Sequence, residues 1–132
     1  MAVQLDYSKF LTDSGFAGSL GITVECAECG HCILSMKIKE EHLNPLGKAH
    51  GGVTFSLLDT AAGIASEIKE DGIQRLVSIN GNIHYLHPVS VGTLKAEGRI
   101  IKDGTKTAVA EARAFGEDGI EYALATFDLF YI

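Results

Sequence analysis

One helical segment in the middle of the chain constrains the fold more than any other feature. Residues 51–68 contain no proline, do not alternate as a strand does, are rich in Leu, Ala and Ile, and end at the charged residues 69–71. This pattern predicts a helix of about 17 residues. Because apolar residues lie nearly all round it, the helix belongs inside the protein. A chain of 132 residues fits a single domain, so we expect residues 1–132 to form one domain around this helix.

The segments before and after the helix have the period of two that is typical of β-strands. Residues 21–38 predict a hairpin with its turn at residues 28–31, and the pairs 103–104 and 118–119, both Asp-Gly, mark later turns. Residues 76–86 predict a strand with one apolar and one polar face. The apolar face would hold Val77, Ile79, Ile83 and Tyr85, and the polar face Ser78, Asn80, Asn82 and His84.

A stripe of alanines completes the prediction of the fold. Small side chains let a helix approach a sheet closely, and one face of a later strand holds Ala108, Ala110, Ala112 and Ala114. The elements predict an α+β protein in which an antiparallel sheet of about five or six strands wraps around one long central helix, with a short N-terminal helix. The hot-dog fold is the best match. A sheet edge and a helix flank would stay uncovered in one chain, which favours a homo-oligomer.

Charge and hydropathy exclude several classes of partner. Lys and Arg total 11 against 17 Asp and Glu, and this net charge of -6 argues against binding of nucleic acid over a broad surface. No apolar run reaches the roughly 20 residues of a membrane span. Residues 1–10 lack the basic-then-apolar pattern of a signal peptide. We therefore expect a soluble cytoplasmic protein with no membrane partner.

All three cysteines, Cys26, Cys29 and Cys32, fall in one stretch that also contains His31. Their odd number does not suggest a disulfide framework. Three thiolates and an imidazole could form a tetrahedral zinc site, but the two Cys-x-x-Cys pairs share Cys29 and no distant pair exists. We therefore favour a cysteine-rich hairpin tip over a metal or redox site.

Asp59 is the unusual residue of the predicted helix. It lies between pairs of apolar residues, where a carboxylate is costly unless it is hydrogen-bonded or faces a wet cleft. At helical spacing it shares one face with small or polar residues, namely Gly52, Ser56, Gly63 and Ser66. The residues alone leave two interpretations open: a close contact with a second subunit, or a ligand cleft in which Asp59 is the reactive group.

The loop before the helix favours the cleft. Residues 44–52 deliver Gly51 and Gly52 to the helix N-terminus, where free N–H groups and the positive end of the helix dipole lie. A carbonyl bound by the Gly51 N–H and the Asn44 side-chain amide would be polarised as in an oxyanion hole. Asp59 lies about 12 Å further along the axis. If two helices run antiparallel, the partner subunit could bring its own Asp59 to that carbonyl.

The segment Asn44-x-x-Gly47-x-x-His50-Gly51-Gly52, followed by Asp59, resembles the motif of the hot-dog acyl-CoA thioesterases of the PaaI type. The resemblance covers residues 18–131. It implies hydrolysis of acyl-CoA thioesters, with aryl or phenylacetyl acyl groups favoured, to a free acid and coenzyme A. It also implies a homo-oligomer that is a dimer of dimers with active sites at subunit interfaces. No metal and no cofactor are expected apart from the coenzyme A of the substrate.

The resemblance also implies roles for individual residues. Asn44 and the Gly51 N–H would hold the thioester carbonyl, and Asp59 from the facing subunit would be the nucleophile or the general base. Ser78 would orient the attacking water, unless it is a solvated strand serine. His50 would order the loop or assist at the carbonyl or leaving group, unless it makes only a structural hydrogen bond. Implied contacts of the coenzyme A portion are Gly52, Tyr85, His87, Pro88, Lys102 and Lys106; His42 and His84 are expected at the surface.

Two other functions stay open from the sequence. A hot-dog 3-hydroxyacyl thioester dehydratase would pair a histidine with a carboxylate, but the proline-rich loop that such enzymes have is absent here. A non-catalytic acyl-CoA-binding sensor would use the same cleft, because a fold and a cleft do not fix a function. The presence of Asp59 and Asn44 argues against the sensor.

Overall fold

The computed structural model describes residues 15–132. Several short elements come before the long central helix. The short helix α1 (Gly15–Ser19) leads into a hairpin of β1 (Thr23–Glu28) and β2 (His31–Ile38). A 3-10 turn at Glu40–His42 and a loop then reach the long helix α2 (Gly51–Glu67). The prediction of one long helix over this segment is confirmed. The expectation for residues 1–10 lies outside the described residues.

After α2 the chain is almost entirely β-structure. The strands are β3 (Ile68–Lys69), β4 (Gly72–Ile73), β5 (Leu76–Tyr85), β6 (Gly92–Asp103), β7 (Thr107–Gly116) and β8 (Glu121–Tyr131). Six strands form one antiparallel sheet in the order β1-β2-β6-β7-β8-β5, which leaves β1 and β5 at the edges. The hot-dog architecture predicted from the sequence is confirmed. The separate β3–β4 hairpin was not predicted, because strands of two residues are too short to show a period.

Small residues bring α2 onto one face of the sheet. The predicted alanine stripe of β7 is buried along its whole length. Next to it on β6, a Cβ added to Gly98 would lie only 2.3 Å from the backbone oxygen of Ala61 in the helix. The helix contributes buried apolar residues to the same interface, among them Leu57, Leu58, Ala61, Ala62 and Ala65. Neither helix within residues 15–132 has both the length and the apolar character that a membrane span requires.

The three cysteines have different environments. Cys26 and Cys29 are exposed, whereas Cys32 is buried on β2. The predicted alternation on β1 fails at Cys26, because the β1–β2 register shifts between Val24 and that residue. Burial raises the pKa of Cys32 to about 12, and its thiol donates to the carbonyl of Ala61 at 3.2 Å. In the described part of the chain, no three His, Cys, Asp or Glu side chains are grouped so that they could hold a metal ion.

Strand β5 contains a β-bulge that reverses part of the predicted face assignment. Its register with β8 shifts between Ser78 and Asn80. Ser78 and Tyr85, which were predicted on opposite faces, both reach α2 through hydrogen bonds. Val77 and Ile79, which were predicted on the apolar face, are 45% and 59% exposed. The prediction was wrong because one extra residue in a strand exchanges its two faces.

A cluster of polar side chains joins the end of α2 to the sheet. Lys69 Nζ donates to Asp103 Oδ2 at 2.9 Å and also to the Tyr131 hydroxyl, which in turn donates to Asp103. The ammonium lies 4.7 Å from the centre of the Tyr131 ring. Partial burial alone would raise the pKa of Asp103, but the hydrogen bonds from Lys69 and Tyr131 outweigh it and lower that pKa below its usual value.

We expect the Asp103 cluster to make stability depend on pH in acid. Because the pKa of Asp103 is lower in the folded than in the unfolded chain, its contribution is present above the unfolded value of about 4 and is lost as the pH falls through the folded value. Urea unfolding of wild type and Asp103→Asn, from neutral to acid pH, measures this contribution. The difference in unfolding free energy should shrink in acid, and a difference independent of pH contradicts the assignment.

Candidate active site

Asn44 shapes the loop before α2 with its side-chain oxygen. Asn44 Oδ1 accepts hydrogen bonds from the backbone N–H groups of Leu46 at 2.9 Å and Lys48 at 3.2 Å. Because these two donors fix the oxygen in place, the amide nitrogen Nδ2 occupies the other position. No acceptor within residues 15–132 takes the Nδ2 hydrogens. The side chain therefore holds the loop with one end and has a free donor at the other.

At the start of α2 the described part of the protein uses the N–H groups of Gly52 and Val53 but not that of Gly51. His50 Nδ1 accepts from the Gly52 N–H at 2.8 Å, which caps the helix. The His50 carbonyl accepts from the Val53 N–H at 2.9 Å. That carbonyl and the Gly51 N–H belong to one peptide group, so the N–H points away from the helix. Among the described residues no acceptor takes the Gly51 N–H, which makes it a free donor as the sequence predicts.

A cavity of about 340 Å³ lies at this end of α2. It brings Asn44 and Gly51, the two predicted carbonyl-binding residues, together with three of the predicted coenzyme A contacts, Tyr85, His87 and Pro88. Two residues that carry free hydrogen-bond donors therefore line the same cavity.

Asp59 and Ser78 form a second group, further along the helix. Ser78 Oγ donates to Asp59 Oδ1 at 2.6 Å, and both residues are at least partly exposed. One turn further on, a Cβ added to Gly63 would meet no atom within 4 Å, so this part of the helix surface is not covered by the described residues of one chain. Ser66, which was predicted on the same face, is instead fully buried and has no hydrogen-bond partner among the described residues.

One chain does not bring the two groups together. Asp59 lies about 12 Å from Gly51 along the helix axis and does not line the cavity. Lys102 and Lys106 lie even further from the cavity. They flank Asp103, which forms an ion pair with Lys69 just beyond the C-terminal end of α2. The sixth predicted coenzyme A contact, Gly52, is exposed at the helix start, with its N–H engaged by the His50 side chain.

His42 supports the site in a way that the sequence did not indicate. Predicted at the surface, it is only 7% exposed. Its Nδ1 accepts from the Lys39 N–H at 3.0 Å, and its backbone carbonyl accepts from the His50 N–H at 2.8 Å. No pattern in the sequence distinguishes this buried histidine from an exposed one, whereas His84 is exposed as predicted. His42 thus anchors the residue that caps α2.

Comparison with known proteins assigns this chain to a family. Residues 46–123 match the family described as the thioesterase superfamily. Acyl-coenzyme A thioesterase 13 of Homo sapiens is 35% identical over 88 residues, which cover 66% of this chain and 62% of that protein. The chain therefore spans slightly less than two thirds of the length of this relative.

Solved structures share the fold over nearly the whole chain. The E. coli PaaI protein from the phenylacetic acid degradation operon has a TM-score of 0.88 and 26% identity, covering 96% of this chain and 91% of that one. A Streptococcus mutans protein solved bound to acetyl CoA has a TM-score of 0.78 and 32% identity, covering 84% of this chain and 88% of that one. With the family match extending over more than half of its length, the chain belongs to the thioesterase superfamily.

Proposed function

We propose that this protein hydrolyses acyl-CoA thioesters to a free acid and coenzyme A. The observation that carries the proposal is the pair of free donors, the Gly51 N–H and the Asn44 amide, at one cavity. Such donors are typically worth about 3 to 4 kcal/mol each when they stabilise an oxyanion. A thioester carbonyl is already activated, so two donors and one carboxylate suffice, without a metal or a further cofactor.

In the mechanism we propose, Asp59 acts as general base or nucleophile. As a base, its carboxylate takes a proton from water while the water oxygen attacks the thioester carbonyl carbon. Ser78 holds one carboxylate oxygen by its 2.6 Å hydrogen bond and can accept a hydrogen bond from the same water. Collapse of the intermediate breaks the carbon–sulfur bond, and the departing coenzyme A thiolate takes from Asp59 the proton that came from water. As a nucleophile, Asp59 would attack the carbonyl carbon and expel the coenzyme A thiolate, which forms an anhydride. Water then hydrolyses the anhydride to the free acid and the Asp59 carboxylate, and a proton from that water converts the thiolate to the thiol.

We infer that a complete site requires two copies of the chain. Asp59 is too far along α2 to reach a carbonyl bound at Gly51 of the same chain. Strand β5 is an edge strand, and it exposes the apolar side chains of Val77 and Ile79. An uncovered edge of this kind is a surface on which a second copy can pair.

The contacts between α2 and β5 suggest where the twofold axis lies. Gly51 of α2 contacts Tyr85 of β5 at one end of this helix–strand contact, and Asp59 of α2 contacts Ser78 of β5 at the other end. Midway between them, a Cβ on Gly81 would lie 2.8 Å from the Phe55 ring. A twofold axis near Gly81 would pair two β5 strands antiparallel and set Asp59 and Ser78 of one copy against Gly51 and Tyr85 of the other.

We propose a dimer of dimers built on this unit. Lys102 and Lys106, at the far end of the sheet, would then contribute to coenzyme A binding only from the partner subunit. Sedimentation equilibrium measures the mass of the assembly directly. A mass of four chains supports the dimer of dimers. A mass of two chains keeps the shared site but contradicts the tetramer, and a monomer under conditions where the enzyme is active contradicts both.

Release of free thiol from a panel of acyl-CoA thioesters tests the function. The panel contains short, long, aromatic and 3-hydroxylated acyl groups, and we expect hydrolysis with a preference for aryl or phenylacetyl groups, which the likeness to PaaI supports. Dehydration of the 3-hydroxylated substrate without thiol release would identify a dehydratase. Binding of acyl-CoA without turnover would identify a sensor, and either result contradicts the proposal.

We expect Asn44→Asp to lower kcat about a hundredfold or more while the fold is preserved. The substitution keeps the oxygen that accepts from Leu46 and Lys48. It removes the amide donor and sets a negative charge beside the oxygen on which charge develops. Steady-state kinetics together with thermal unfolding measure the two effects separately. A variant with the wild-type kcat contradicts the assignment of Asn44.

A further inference from the structure

Tyr85 makes a contact with the start of α2 that its predicted role in coenzyme A binding does not explain. Its hydroxyl donates to the Gly51 carbonyl at 2.8 Å. The backbone of Tyr85 is held in place by β8. Tyr85 pairs with Ala123, and the next residue, Leu86, donates its N–H to the Tyr122 carbonyl. A tyrosine hydroxyl keeps its proton at neutral pH and can act as a donor, and partial burial raises the pKa of Tyr85 further.

Tyr85 also gives a reason for glycine at position 51. Gly51 is not one of the described glycines with positive φ, so its backbone conformation does not require glycine. The space favours glycine: a Cβ on Gly51 would lie 3.0 Å from the Tyr85 hydroxyl oxygen and 3.1 Å from Cζ, so the tyrosine ring would have to shift by a few tenths of an ångström. The ring therefore lies directly against the backbone that carries the free N–H.

The two peptide groups that flank Gly51 are held from different sides. The Val53 N–H holds the carbonyl of His50, on the N-terminal side of Gly51. The Gly51 carbonyl, on the C-terminal side, lies in the first turn of α2, and the Tyr85 hydroxyl adds a hydrogen bond to it from outside the helix. Glycine has the greatest backbone freedom of any residue, so an N–H on glycine is aimed well only if its neighbours are fixed. The same strand holds the carboxylate through Ser78, which makes β5 the support for both halves of the site.

We propose that Tyr85 is a positioning residue for catalysis, whose hydroxyl holds the Gly51 carbonyl and so keeps the Gly51 N–H aimed at the thioester oxygen. This inference rests on the proposed thioester hydrolysis. The direction of the Gly51 N–H matters more in the transition state, where negative charge develops on the thioester oxygen, than in the ground state. Loss of the hydroxyl therefore lowers kcat and leaves KM nearly unchanged.

Tyr85→Phe separates positioning from substrate binding, because it keeps the ring against Gly51 and removes only the hydroxyl. We expect kcat to fall about tenfold while KM stays within about twofold of wild type. Tyr122→Phe is the matched control, since within residues 15–132 the Tyr122 hydroxyl bonds to Asp118 alone, at 3.0 Å. A Tyr85→Phe enzyme with the kcat of the control overturns the proposal, and so does a rise in KM at unchanged kcat.

A second measurement does not depend on activity. The backbone ¹⁵N order parameter of Gly51 reports how firmly its N–H is held, and rigid backbone gives about 0.85. We expect the value to fall in Tyr85→Phe and to stay at the wild-type level in Tyr122→Phe. An unchanged value in Tyr85→Phe overturns the proposal whatever the kinetics. A wild type that releases no thiol contradicts the proposed function instead, and the order parameter then decides alone whether Tyr85 holds Gly51.

Discussion

Asp59→Asn should release thiol from acyl-CoA at least about a hundredfold more slowly than wild type, which is about 2.7 kcal/mol of transition-state stabilisation. Asparagine keeps the shape of the side chain and an oxygen that can accept the hydrogen bond from Ser78. It can neither take a proton from water nor attack a carbonyl carbon. The loss should therefore appear in kcat at saturating substrate, measured with a thiol reagent.

A second carboxylate gives the matched control for this experiment. Asp71 is exposed on the turn between β3 and β4, so Asp71→Asn makes the same chemical change away from the site. We expect Asp71→Asn to keep the wild-type rate and both variants to unfold within about 1 kcal/mol of wild type. An Asp59→Asn enzyme that is as fast as Asp71→Asn would remove Asp59 from the mechanism.

Gly98→Val should destabilise the folded protein by at least about 3 kcal/mol, a large part of the stability of a domain of this size. The added Cβ would lie 2.3 Å from the oxygen and 2.6 Å from the carbonyl carbon of Ala61. Both atoms belong to the backbone of the buried helix, so no side-chain rotation can relieve the clash. Relief requires α2 to move away from the sheet, which would also displace Gly51 and Asp59.

Gly63→Ala is the matched control for the helix–sheet contact. A Cβ at this position meets no atom within 4 Å in one chain. Replacing glycine with alanine inside a helix typically adds up to about 1 kcal/mol of stability. Urea unfolding of the two variants should therefore give changes of opposite sign. Wild-type stability in Gly98→Val would show that α2 does not approach β6 as closely as described.

The periodic parts of the chain were predictable because a period reflects what each residue faces. The apolar residues 51–68 and the alternation of β2 and β7 depend on burial along whole elements, and the helix, the sheet and the alanine stripe follow from them. The bulge in β5 could not be predicted in this way. It exchanges the two faces of the strand at one residue, while the types of residue in the strand still look like those of a regular strand. Predicting it would have required the register with β8, which is a long-range property.

The site residues that could be predicted are those whose chemical role follows from their neighbours in the sequence. Gly51 and Asn44 stand out because a glycine at a helix start and an amide in the loop before it can both donate to a ligand. The contact of Asp59 with Ser78 depends on the bulge. His42 and Tyr85 support the loop and the helix start by contacts over long stretches of sequence or through the backbone, which no motif records.

If one active site takes Asn44 and Gly51 from one chain and Asp59 from another, two inactive variants should restore activity when they are combined in one dimer. Asn44→Asp and Asp59→Asn should each be nearly inactive alone. When the two are co-expressed in equal amounts, half of the dimers are mixed, and each mixed dimer has one intact site. We therefore expect recovery of about a quarter of the wild-type specific activity. Activity no higher than the sum of the two variants alone would contradict a site shared between chains.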